Sequence, residues 1–117
     1  MSAGVGDVRD GEERLTVEVQ DGEPPTIVLV GEVDPHTAPQ LESALGQLID
    51  GGADTVRIDA GGLAFIDSSG LRVLVDAHRR LGSESSVLVL AQVSPTFRRL
   101  LEVTGLDERV TIESTTE

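Results

Sequence analysis

Apolar and polar residues alternate over L-T-V-E-V at positions 15 to 19, the two-residue period of a half-exposed strand. Turn residues follow in Q-D-G-E-P-P, and T-I-V-L-V-G-E-V at 26 to 33 reads as a second strand, so the two predict a hairpin. The period then changes to that of a helix. Leu41, Ala44, Leu45, Leu48 and Ile49 recur at three- and four-residue steps on one face. Thr37, with Gln40 three residues later, forms a capping-box pattern, Pro39 falls in the first turn, and Gly51-Gly52 ends the helix. T-V-R-I-D-A at 55 to 60 predicts a short strand, and G-G-L-A-F-I-D leads from it to a D-S-S-G junction at 67 to 70. Beyond the junction, Leu71, Leu74, Val75, His78 and Leu81 mark the inward face of a second helix, which Gly82 stops. V-L-V-L-A at 87 to 91 is a near-continuous aliphatic run of the kind found in covered strands. Ser94 as cap and Pro95 at the first helical position open a third helix, with Phe97, Leu100 and Leu101 inward until Gly105. R-V-T-I-E at 109 to 113 predicts a last strand.

Strands alternating with helices after an opening hairpin predict an α/β fold. Its sheet is mixed, mostly parallel and four- to five-stranded, with helices packed on it. The Gly-, Asp- and Glu-rich residues 1–13 predict a flexible N-terminal tail, 14–114 one domain, and 115–117 a C-terminal tail. At 117 residues the chain is long enough for one modest core, and with 2% aromatic residues that core must be aliphatic.

Charge narrows the function. The formal net charge is -12, and every one of the nine basic residues is an arginine. A chain this acidic repels nucleic acid, and without lysine it holds neither a P-loop nor a Schiff base. It has no cysteine, hence no disulfide, thiolate nucleophile or zinc knuckle, and only His36 and His78 offer imidazole, so no metal and no cofactor is expected. No apolar run approaches the ~20 residues that span a bilayer, and the N-terminus is not signal-like, so a cytoplasmic protein without membrane contact is expected.

The chemistry concentrates at D-S-S-G, where a buried strand hands over to an amphipathic helix. Unpaired N–H groups and the positive end of the helix dipole make that a place where a serine hydroxyl can carry phosphate without melting the helix. The plainer reading makes Ser68 an N-cap and Asp67 a turn residue. A serine nucleophile lacks a base, because His78 falls on the inward face of its helix as a satisfied boundary residue and His36 in a solvated turn. Asp67 as a phospho-acceptor lacks the lysine that such a site needs.

Three blocks in register, G-E-V-D-P-H-T-A-P-Q-L at 31 to 41, F-I-D-S-S-G-L-R-V-L at 65 to 74 and V-S-P-T-F-R-R-L-L-E-V-T-G-L at 93 to 106, resemble a STAS domain, specifically the stand-alone bacterial anti-sigma factor antagonists. The similarity spans roughly Leu15 to Glu113. The resemblance implies a non-enzymatic partner switch. The unphosphorylated antagonist binds an anti-sigma factor that is also a serine kinase and frees a sigma factor, phosphorylation at Ser68 ends the complex, and a metal-dependent PP2C-type phosphatase reverses it. Ser69 is the less favoured acceptor, serving the helix start instead. Asp34, Asp67, Ser68, Ser69, Gly70 and Arg72 are the implied partner-binding set, with a turn role for Asp34 as its alternative. Family members usually carry a further helix after the last strand, whereas E-S-T-T-E ends this chain, so its packing face is expected to be open or covered by a second copy in a weak homodimer. The alternative function is a non-catalytic STAS binding module of a transport-associated or stress-sensing complex.

Overall fold

The computed structural model describes residues 14–82 and 86–113, and the tails expected at 1–13 and 115–117 lie outside them. The elements run β1 (Leu15–Gln20), β2 (Thr26–Val33), α1 (Ala38–Asp50), β3 (Thr55–Ile66), α2 (Ser68–Leu81), β4 (Val87–Ala91), α3 (Pro95–Thr104), a short 3-10 turn (Leu106–Glu108) and β5 (Thr111–Ile112). The sheet has five strands in the order β1-β2-β3-β4-β5. β1 pairs antiparallel with β2, and every later pairing is parallel. This is the expected α/β architecture with its opening hairpin.

Alternation along the strands puts one face inward. Ile27, Leu29 and Val33 of β2, Val56 and Ile58 of β3, and Leu88 and Leu90 of β4 are essentially solvent-free beneath Leu41 and Leu45 of α1 and Leu74 of α2. Each such side chain contributes about 1.5–3 kcal/mol of transfer free energy. Phe97 is the one aromatic in an otherwise aliphatic core. Ser94 Oγ accepts from Phe97 N at 3.1 Å, and Gly82 and Gly105 end α2 and α3 in left-handed conformations, as their positions predict.

Four expectations change. Thr37 makes no side-chain cap, because its buried hydroxyl donates to Glu32 O at 2.8 Å and accepts from Asp34 N at 3.0 Å instead. The strand begun at Thr55 does not stop at Gly61 but continues to Ile66, with two register shifts against β2 that insert extra residues on the β3 side. A Cβ on Gly62 would stand 2.8 Å from Val30 Cγ2 and 2.9 Å from Leu29 O, so only glycine lets the strand pass there. The buried face of α2 includes Val73 and Ala77, while Val75 and His78 are half-buried, because α2 packs on α1 as well as on the sheet. His78 is also not satisfied, since its buried Nδ1 has no hydrogen-bond partner among the described residues.

β5 is only two residues long, and an ion pair supplements its few ladder bonds. Arg57 Nε and Nη2 donate to Glu113 Oε2 and Oε1 at 2.8 and 3.1 Å, reaching from β3 across β4. Those hydrogen bonds hold the Glu113 carboxyl below its ordinary range.

Gln92, just past β4, has φ 59°, a left-handed conformation unusual for a residue with a Cβ. That conformation costs about 1–2 kcal/mol, of which glycine's larger unfolded-state entropy returns roughly 0.5–1. Gln92→Gly is therefore expected to raise stability by about 0.5–1 kcal/mol, seen as a higher urea midpoint at unchanged slope.

Candidate functional site

Parallel pairing brings two loops together. Val33 of β2 and Ile66 of β3 are in register, so Asp34 and Asp67, their successors, leave the same rim of the sheet. Asp67 N donates to Val33 O at 3.2 Å and ties the two departures. The carboxyl ends of parallel strands, with helix N-termini beside them, are where open α/β sheets present their binding surfaces.

Asp67, extended at φ -117° and ψ -166°, is the N-cap of α2, and its Oδ1 accepts from Ser69 N at 2.8 Å. The reading of Ser68 as the cap is thereby corrected. Ser68 is the first residue of the helix, exposed, with its hydroxyl free of capping duty. Ser69 is half-buried and gives its backbone amide to the cap. Arg72 stands one turn further on and is exposed.

Gly70, expected among the partner contacts, is buried and has a packing role. A Cβ there would lie 2.6 Å from Ile66 Cγ1 and 2.8 Å from Val33 Cγ1. Its missing side chain lets the first turn of α2 settle on the ends of β2 and β3, which sets the height of Ser68 above the rim.

Asp34 is held inward, its side chain 15% exposed. One carboxylate oxygen, Oδ1, accepts from His36 N at 2.8 Å and Thr37 N at 3.0 Å, and the other is ion-paired with Arg14, ahead of β1. His36 itself is exposed, as expected. Partial desolvation of Asp34 pushes its pKa up, but the Thr37 and His36 amides, the Arg14 guanidinium and the Thr37 hydroxyl outweigh it and hold the carboxyl below its ordinary 3.8. These bonds let Asp34 shape the loop between β2 and α1.

A pH dependence follows from that lowered value. The native state favours the ionised carboxylate more than the unfolded chain does, so the stabilisation is fully present above about 3.8 and is lost as pH falls through the lower folded value. Asp34→Asn is expected to flatten the acid limb of the stability profile below pH 4 relative to the native chain, measured by urea unfolding at stepped pH.

Two grooves flank Ser68. One runs between α1 and α2 and has Pro35, Glu42, Ser69, Arg72 and Asp76 along it. The other, more apolar, lies between the end of β3 and α3, walled by Leu63, Phe65, Phe97 and Leu100, with Ser94 and Thr96 at its edge. Phe65 is 49% exposed there. Sequence reasoning missed this second groove. The available signal was an aromatic residue two positions before the junction in a chain that has only two. Among the described residues no group of three or more His, Asp or Glu side chains is placed to hold a metal ion, and no helix is long and apolar enough to cross a membrane.

The family model described as Mlab, STAS domain, matches residues 16–113, the sheet and all three helices. The chain belongs to the STAS domain family. This STAS chain is 33% identical over 100 residues to the anti-sigma-B factor antagonist of Listeria monocytogenes, covering 86% of this chain and 88% of that protein. To the anti-sigma-B factor antagonist of Staphylococcus aureus it is 30% identical over 87 residues, 74% of this chain and 81% of the other. The crystal structure of an anti-sigma factor antagonist from Mycobacterium paratuberculosis matches the STAS fold seen here with a TM-score of 0.80 and 29% identity, covering 90% of each chain. These relatives place the STAS chain among the anti-sigma factor antagonists.

Proposed function

We propose that this STAS domain acts as the antagonist in a partner switch. Unphosphorylated, it binds an anti-sigma factor through the rim around α2 and so frees a sigma factor. Phosphorylation of Ser68 by the serine kinase activity of that anti-sigma factor ends the complex, and a PP2C-type phosphatase restores it. The protein is then a kinase substrate without catalysis of its own, working where sigma factors work, in the cytoplasm. The observation that carries this reading is Ser68 itself, exposed at the first position of α2 with the capping role taken by Asp67. Ser69, half-buried with its amide in the cap, is the poorer acceptor. Ser68, Ser69 and Arg72 supply the contact surface, Asp67 acts through its cap, and Gly70 and Asp34 set the shape of the rim. The relatives favour this role over a transport-associated module.

A phosphate adds about -1.5 to -2 charges at pH 7. It would stand next to Asp67, on a surface and not in the core, so the cost of the added charge falls on the complex and not on the fold. The test is incubation with candidate anti-sigma kinases and magnesium ATP, read by intact mass and peptide mapping, with Ser68→Ala in parallel. The expected result is one phosphate on Ser68, absent in the variant, with loss of the complex. Modification at Ser69 alone, or a complex that survives full phosphorylation of Ser68, overturns the proposal.

A further inference from the structure

Ser68, Arg72 and Asp76 follow one another at four-residue steps along α2, so their side chains rise from one stripe of its surface. All three border the groove that α2 shares with α1, where Glu42 is the facing carboxylate. Among the described residues Arg72 is the one cation lining the part of that groove beside Ser68. It is exposed, and unlike Arg14, Arg57 and Arg80 it makes no ion pair among the described residues, although Asp76 and Glu42 border the same space.

We infer that Arg72 is the built-in counter-ion of the phosphate on Ser68, and that phosphorylation withdraws its guanidinium from the docking surface. The inference rests on the proposed modification of Ser68 and deepens it. Side chains four apart on a helix have Cβ atoms about 5–6 Å apart, and an anion placed N-terminal to a cation is the favourable order. A guanidinium presents parallel N–H donors that match two phosphoryl oxygens, which a dianion engages more strongly than the single carboxylates of Asp76 or Glu42. No bond is made or broken beyond the phosphorylation itself. The surface therefore changes twice in one event: an anion appears at position 68, and the cation beside it in the groove turns toward it. A carboxylate of the partner that met Arg72 in the complex loses that contact as the new charge arrives.

The experiment uses full-length protein with phosphoserine inserted during translation at position 68, so that no kinase is required. Phosphorus NMR then follows the second ionisation of the phosphate, whose ordinary midpoint is near 6. The groups around it besides Arg72 are Asp67 at the cap of α2, Asp76 on α2 and Glu42 on α1. Arg72→Gln is expected to raise the midpoint by about half a unit, with the difference shrinking at ~1 M salt. Arg72→Lys, which keeps the charge, is expected to bring most of the shift back. A midpoint that Arg72→Gln leaves unchanged, or one that Arg72→Lys fails to bring back, overturns the inference. Because the phosphate is installed without an enzyme, a failure of every candidate kinase to modify Ser68 would count against the partner switch alone.

Discussion

Gly31→Ala is expected to lower stability by about 3–5 kcal/mol, a large part of the 5–15 kcal/mol typical of a domain. Gly31 has φ 119°, and a Cβ there would fall 2.1 Å from Arg14 O, 3.0 Å from Arg14 C and 3.2 Å from Leu15 Cα. All three are backbone atoms, of Leu15 at the start of β1 and of Arg14 just before it, so no side chain can rotate away. Relief requires β1 to move, which breaks the pairing of Leu15 with Gly31 and the 2.8 Å bond from Glu32 N to Arg14 O. The same movement pulls Arg14 from Asp34 and so reaches the rim of the site. Urea unfolding followed by circular dichroism measures the loss. Gly52→Ala serves as the comparison, since Gly52 has φ 101° but nothing within 4 Å of its missing Cβ. Equal losses in the two variants would show that backbone conformation alone is at work and that the close approach of β1 costs nothing.

Ser68→Asp is expected to weaken binding to the anti-sigma factor by about 100-fold or more while leaving the melting temperature within a few degrees. Like charges brought together across an interface cost several kcal/mol, and 2.7 kcal/mol is already 100-fold. Within the folded chain the same acid sits in the first turn of α2, where the helix dipole favours it by about 0.3–1 kcal/mol. Position 68 is exposed, so no packing is lost. Calorimetric titration with the anti-sigma factor and a thermal scan read the two effects separately. A large drop in melting temperature would mean that the residue is structural, and undiminished affinity would mean that docking occurs elsewhere.

The two expectations differ in how far the sequence reveals them. D-S-S-G between an aliphatic run and a helical stripe marks a strand-to-helix junction directly, because strand and helix are local patterns read from neighbours along the chain, and the resemblance to the antagonists is what singles out Ser68 within it. Nothing in G-E-V-D shows that Gly31 is indispensable. Its constraint comes from the backbone of Arg14, which only the antiparallel pairing of β1 brings beside it. Likewise, S/T-x-x-Q at Thr37 is a valid capping pattern, yet tertiary contacts with Glu32 and Asp34 claim the hydroxyl.

Periodicity and turn residues by themselves determined the element order, the parallel sheet with its hairpin, the aliphatic core and the helix ends at Gly82, Ser94 and Gly105, since each is a matter of backbone propensity or side-chain spacing over a few residues. The tertiary structure alone decided that Asp67 rather than Ser68 caps α2, that Gly70 is buried, that Asp34 faces Arg14, that β3 runs through Gly61-Gly62, and that an apolar groove opens beside Phe65. Each of these depends on atoms from segments far apart in the chain meeting at one rim, and a distance of that kind is set by sheet register and helix packing, which no local pattern encodes.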